Sequence, residues 1–194
     1  MAKKGMLPSK NKFQALLQKV QPICLNLGGA ESGRGEWTTV DVTKECDIYW
    51  DLRSPIPLPD NSVSKIYSSH LFEHLTFQQG QKLLHESMRL LRPGGTFSIC
   101  VPNARIYIEH YLGIREVPQD YFGWKPAYNG TTSIDAINYV AYMDGEHKYM
   151  FDRENLLDIL RGAGLIGVNE RPFDPTCDRP DRDYESLYAI GIKS

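Results

Sequence analysis

The residues best suited to chemistry stand at the ends of short apolar runs. Ile23 to Leu27 runs into Gly28-Gly29-Ala30, small residues that let a ligand approach the backbone closely. Asp41 ends a second run, Asp51-Leu52 a third, Ser68-Ser69-His70-Leu71 a fourth and Val101-Pro102-Asn103 a fifth. A carboxylate at the end of a second strand can accept hydrogen bonds from both hydroxyls of a ribose, as in dinucleotide sites. Histidine suits proton transfer near neutral pH, where its ordinary pKa lies. The chain has five: His70, His74, His85, His110 and His147. Taken singly, each feature has a plainer reading: a loop that ends a strand, a surface or capping carboxylate, a structural histidine. Their joint placement at successive strand ends favours a site for a nucleoside-type ligand. No set of histidines and carboxylates has the sequence spacing of metal ligands, so no metal is expected.

The elements that must position these residues follow from apolar patterning. A short amphipathic helix is predicted over Phe13 to Val20, and Pro22 stops it. Strands are predicted at Ile23 to Leu27, Thr38 to Val42, Asp47 to Leu52, Val63 to Ser68 and Thr96 to Val101. Thr76-Phe77-Gln78-Gln79 has the form of a capping box and opens a helix that Arg92-Pro93-Gly94-Gly95 ends. Asp152 caps a further helix reaching Gly162, and Leu165 to Glu170 and Ser186 to Ile192 complete the strands. Strands alternating with helices imply a mostly parallel sheet covered on both faces. The last two strands have no helix between them and can therefore pair antiparallel. The pattern predicts an α/β three-layer sandwich in one domain over residues 1–194.

Residues 103–146 differ from this frame. They are long, weakly periodic and aromatic-rich, with Tyr107, Tyr111, Tyr121, Phe122, Trp124, Tyr128, Tyr139 and Tyr142. Such insertions tend to be lids or binding loops, and a substrate-covering cap is predicted here. The plainer alternative is a small structural cap with its own cluster.

Composition excludes some classes of function. Lys and Arg total 22 and Asp and Glu total 24, a formal net charge of -2 that gives no electrostatic reason to expect a nucleic-acid partner. No apolar run approaches the roughly 18 residues of a membrane-spanning helix. The N-terminal lysines have no apolar stretch behind them, so no cleaved export signal is expected. The four cysteines are scattered without metal or disulfide spacing, which predicts a reduced, cytoplasmic protein. Oligomeric state is not legible.

The strings LNLGGA, VDV, DLRSPIPLPDNSVSKIYSSHLFEHL, LHESMRLLRPGGTFSICVPN and HKYMFDRENLLDILRGAGL occur in this order from about Ile23 onward. In that order and at those separations, the chain resembles class I S-adenosylmethionine-dependent methyltransferases. The resemblance implies a Rossmann-like, seven-stranded sheet whose last strand is inserted antiparallel. It also implies S-adenosylmethionine as cofactor. Gly28, Gly29 and Ala30 would admit the amino-acid tail and sulfonium, near Asn26. Asp41, with Val42 beside it, would take the ribose, Asp51 the adenine amino group and Leu52 the ring face, while His70 and Leu71 would floor the sulfonium. Tyr107, Tyr111 and Trp124 of the aromatic insertion would contact substrate. For an acceptor that must lose a proton, His147, where the insertion rejoins the body, is the first candidate base, and His74 of the recurrent Glu-His pair the second. Members that resemble this chain act on planar metabolites or sugars, so a small-molecule or glycan acceptor, methylated at oxygen, is expected.

The sequence also departs from the family pattern. Asn26 stands where an acidic residue is usual, and Gly28 and Asp41 are only thirteen positions apart, against roughly 20 where a full helix intervenes. A shortened first crossover is therefore predicted. Two rivals use the same features: a nicotinamide-dependent oxidoreductase, which lacks here the G-x-G-x-x-G that opens a helix, and a non-catalytic protein that keeps cofactor binding.

Overall fold

The computed structural model describes residues 9–29, 35–118, 121–122 and 131–194. Ala30 and Trp124, both expected at the site, lie outside the described residues. The strands are β1 (Ile23–Leu27), β2 (Trp37–Asp41), β3 (Ile48–Tyr49), β4 (Val63–Ser69), β5 (Leu91–Pro102), β6 (Leu165–Glu170) and β7 (Ser186–Lys193). They form one seven-stranded sheet in the order β3-β2-β1-β4-β5-β7-β6. Pairings from β3 through β5 are parallel, and β7 runs antiparallel between β5 and β6. The fold is the α/β sandwich the patterning predicts, in the Rossmann-like, seven-stranded arrangement the resemblance implies. The strand order reverses between β1 and β4, and ligands bind beyond the carboxyl ends of the strands at such a switch point.

Helices α1 (Ser9–Leu17), α2 (Phe77–Leu90) and α5 (Arg153–Gly162) pack their apolar sides into the main core. Phe13 and Leu16 of α1, Leu83, Leu84 and Leu90 of α2, and Leu156, Leu157 and Leu160 of α5 meet Leu25, Val40, Ile66 and Phe97 of the sheet there. The period of apolar positions causes this, because each helix presents one stripe and each buried strand a continuous apolar run. α2 starts at the predicted capping box, with Thr76 Oγ1 accepting from Gln79 N–H and the Gln79 amide oxygen accepting from Thr76 N–H.

Three boundaries differ from expectation. α1 spans Ser9–Leu17 rather than reaching Val20, because the chain tightens into single-turn bonds from Gln18 N–H to Ala15 O and Lys19 N–H to Leu16 O. β3 keeps only two residues: Asp47 turns its carboxylate onto Thr39 N–H and Oγ1, both at 2.9 Å, and the chain bends again after Asp51. β5 begins at Leu91, and Arg92–Gly95 loop out between the pairs Val63–Leu91 and Lys65–Thr96.

The aromatic insertion holds α3 (Ala104–Tyr111) and α4 (Ile134–Tyr142). These close over a second cluster of Ala104, Ile106, Tyr107, Val117, Phe122, Ala136, Tyr139 and Val140. No described helix is long and apolar enough to cross a membrane.

Candidate functional site

Gly28 leaves β1 with φ +79°, a conformation that favours glycine, and its N–H donates to Val40 O at 2.9 Å. A Cβ on Gly28 would stand 2.8 Å from Leu71 Cβ, and one on Gly29 would stand 2.5 Å from Asn26 Nδ2. Both glycines therefore make room, one for the chain after β4 and the other for the Asn26 amide. Asn26 is 5% exposed and its Oδ1 accepts no hydrogen bond. A buried acceptor without a donor is costly unless a ligand completes it.

These residues line a cavity of about 220 Å³ with Tyr67, Ser69, His70 and His74. Its far wall is Cys177, Arg179 and Arg182, from the loop between β6 and β7. A second cavity of about 410 Å³ is lined by Glu73, His147, Pro102, Tyr139, Met143, Tyr184 and Glu185, among others. His70, His74 and Arg182 line both cavities. The two spaces thus share a wall at the end of β4.

That wall is built around Glu73, in a 3-10 turn (Phe72–His74) and 2% exposed. His70 Nδ1 lies 3.4 Å and His74 Nε2 3.9 Å from its Oε1. His74 and His147 pack edge to face, 4.9 Å between centroids. Burial alone would raise the Glu73 pKa, but His70 and then His74 hold it below the usual value. Burial likewise opposes an imidazolium at His70, yet Cys100 and Glu73 raise its pKa to about 9. His147 is lowered by burial, only partly countered by its bond to Val140 O.

Residues 38–99, from β2 into β5, match the family model for the methyltransferase domain. A probable S-adenosylmethionine-dependent methyltransferase of Mycolicibacterium smegmatis is 29% identical over 125 residues, covering 64% of this chain and 42% of that protein. The chain therefore spans less than half the length of that relative. Among solved structures, an S-adenosylmethionine-dependent methyltransferase from Archaeoglobus fulgidus superposes with a TM-score of 0.55 at 17% identity, covering 95% of this chain and 92% of that one. A possible histamine N-methyltransferase from Thermotoga maritima superposes with a TM-score of 0.54 at 14% identity, covering 96% and 88%. Residues 38–99 thus match the methyltransferase domain, and the fold of the chain is that of the S-adenosylmethionine-dependent methyltransferases it superposes on.

The sequence-predicted residues fall into three groups. Asn26, Gly28, Gly29, His70 and His74 meet at the first cavity, and Leu71 covers Gly28 from behind. Asp41 lies at the end of β2, where its Oδ1 accepts from Val42 N–H at 2.5 Å and Thr43 N–H at 3.2 Å, and Val42 is exposed beside it. The Asp51 carboxylate is gripped on both oxygens by Arg53, which also holds its pKa down, so a ligand amino group must compete with that ion pair.

Three expectations are corrected. Leu52 is 8% exposed and belongs to the main core, so its side chain is not an open platform for an adenine ring. Tyr107 is fully buried in the cap cluster, with its hydroxyl donating to Glu185, and cannot offer a face to substrate. Tyr111 is exposed on α3 and does not line the second cavity. Sequence reasoning missed Cys177, Arg179, Arg182 and Tyr184, which sit in a Pro- and Asp-rich loop that has no periodic signal. The Arg-Asp alternation over 179–183 is the one trace it left.

A pH dependence follows. The raised His70 pKa contributes stability that is full below about 6.5 and is lost as pH climbs through about 9. The lowered Glu73 pKa contributes stability present above 4.5 and lost as pH falls through its folded value. His147 acts oppositely to His70, since a lowered histidine pKa removes stability as pH drops below 6.5. Thermal midpoints followed by circular dichroism are expected to fall from pH 6.5 to 9. His70→Asn should flatten that slope, because asparagine tolerates the φ of 48° but does not titrate. An equally steep slope in the variant would remove His70 as its source.

Proposed function

We propose that this methyltransferase moves the methyl group of S-adenosylmethionine to an oxygen of a small-molecule or glycan acceptor, with the first cavity taking the cofactor and the second the acceptor. The observation that carries this reading is the shared wall of His70, His74 and Arg182 between the two cavities. The residues present fit the cofactor. The unpartnered Asn26 Oδ1 is an acceptor for the ammonium of an amino-acid tail, and the bare turn at Gly28 and Gly29 is a cradle that a Cβ would fill. Asp41, at the neighbouring strand end, would accept from the ribose hydroxyls.

The sulfonium supplies an already activated methyl group. The protein's own part is then to align the acceptor and exclude water, which can account for much of the acceleration. Deprotonating an oxygen acceptor falls to the His74 and His147 pair on the second cavity. The cap of α3 and α4 contributes Tyr139 to that cavity, which supports its reading as a substrate cover within one domain. Four free thiols fit a reduced, cytoplasmic setting.

Calorimetric titration of the purified protein tests the reading, with S-adenosylmethionine and a nicotinamide dinucleotide as the two ligands. S-adenosylmethionine alone is expected to bind, and Asp41→Ala should weaken it by roughly 1–3 kcal/mol, the cost of losing a charged hydrogen-bond acceptor. Unchanged affinity in that variant would remove the ribose assignment, and preference for the nicotinamide ligand would overturn the function.

A further inference from the structure

His147 is far along the chain from the adjacent Glu73 and His74, yet each of the three brings one ligand atom to a common point, all within 4.8 Å of one another. Their hydrogen bonds decide which atoms these are. His147 Nδ1 lies 2.9 Å from Val140 O and His74 Nδ1 lies 3.1 Å from Glu146 O. A carbonyl can only accept, so each Nδ1 carries its proton and each neutral ring presents an Nε2 lone pair toward Glu73. A histidine held through Nδ1–H by a backbone carbonyl has the usual second-shell arrangement of a metal ligand.

The carboxylate itself points the same way. Glu73 is 2% exposed, and neither Oε1 nor Oε2 accepts a hydrogen bond. A buried carboxylate normally gathers several donors. Here His70 Nδ1 stands off at 3.4 Å, with its Nε2 at 2.9 Å from Ser186 Oγ. With both rings neutral, three electron-pair donors face one another with no hydrogen between them, an arrangement that a cation at the centre would complete. The cluster also opens onto the second cavity, so solvent and ligand reach it.

We propose that Glu73, His74 and His147 bind a divalent transition-metal ion of the manganese-to-zinc series, leaving coordination positions open toward the acceptor cavity. Two imidazoles and one carboxylate select borderline ions of that series over magnesium or calcium, which prefer all-oxygen sites. Metal–ligand bonds of about 2.0–2.2 Å place ligand atoms about 3–4 Å apart. The cluster reaches that spacing by a small contraction, and the half-exposed His74 ring has room to turn. The ion's task rests on the methyl-transfer reading: held there, it would orient an acceptor oxygen and lower its pKa, so that the two histidines act through the metal. Its binding does not rest on that reading.

The test uses tag-free, full-length protein stripped with a chelator and titrated with Co²⁺, followed by visible absorption. One equivalent is expected to bind, with the bands of nitrogen and oxygen ligation, and Zn²⁺ but not excess Mg²⁺ should displace it. His74→Ala should weaken Co²⁺ binding roughly tenfold or more, while leaving the metal-free circular dichroism spectrum unchanged. Glu73→Gln, which keeps the side-chain shape, is a second variant with the same expected loss. Absence of Co²⁺ binding, or binding unchanged in the folded His74→Ala variant, would overturn the site. Calorimetry with S-adenosylmethionine on the same samples separates the two readings. Cofactor binding without metal sinks only the metal site, and metal binding without cofactor sinks only the methyl-transfer reading.

Discussion

Asp178→Ala is expected to cost about 3–5 kcal/mol of unfolding free energy, the usual cost of removing one partner from a buried ion pair. The Asp178 side chain is fully buried, and its carboxylate accepts from Arg171 Nη1 at 2.5 Å, Arg171 Nη2 at 2.7 Å, Asp174 N–H at 2.7 Å and the Tyr67 hydroxyl at 2.8 Å. Arg171 is itself largely buried, donates to Ser98 Oγ at 2.7 Å and lies over the Tyr188 ring. Without Asp178 that guanidinium has lost its counter-ion in place, and Tyr67 has lost its acceptor. Urea denaturation measures the loss. A change below about 1 kcal/mol, the scale of an exposed ion pair, would mean that Arg171 escapes to water. Because the same loop carries Cys177, Arg179 and Arg182 to the first cavity, the proposed cofactor site, weaker S-adenosylmethionine binding should accompany the lower stability.

The two turn glycines give the second large effect, and comparing them separates stability from binding. Gly28→Ala places a side chain at φ +79°, which costs roughly 1–2 kcal/mol. It also drives the new Cβ to 2.8 Å from Leu71 Cβ, an atom tied to the backbone. Both stability and affinity should fall. Gly29→Ala has no such backbone strain, since its Cβ meets the Asn26 amide at 2.5 Å and that amide can swing away. Stability should then change little, while cofactor affinity drops by up to about 100-fold, the scale expected when a binding group is displaced by an ångström. Calorimetry and thermal melts on both variants check this. Full affinity in Gly29→Ala would detach Asn26 from cofactor binding.

Much of the frame was legible because it depends on local pattern. The strands end where the apolar runs end, within three residues, and Thr76 and Asp152 cap the helices they were expected to cap. The Gly28 turn was legible because glycine takes that conformation at the least cost. The Leu52 and Tyr107 expectations failed for a shared reason. Sequence shows that a side chain is apolar or aromatic, but only packing decides whether it faces the cleft or the core, and both face a core. The aromatic segment likewise looked like open binding surface, whereas several of its rings pack against one another.

By itself the sequence determined the alternation of strands and helices, the glycine turn after β1 and the set of strand ends beside it, since these follow from residue periodicity and backbone freedom within a few positions. Tertiary structure alone decided which distant groups meet. Glu73 and His147 stand 4.8 Å or less apart at their ligand atoms despite the chain between them, and Asp178 reaches Tyr67 across the sheet. The physical reason is that sheet order and burial, not chain distance, set the local charge, hydrogen bonding and solvent access on which the chemistry of such groups depends.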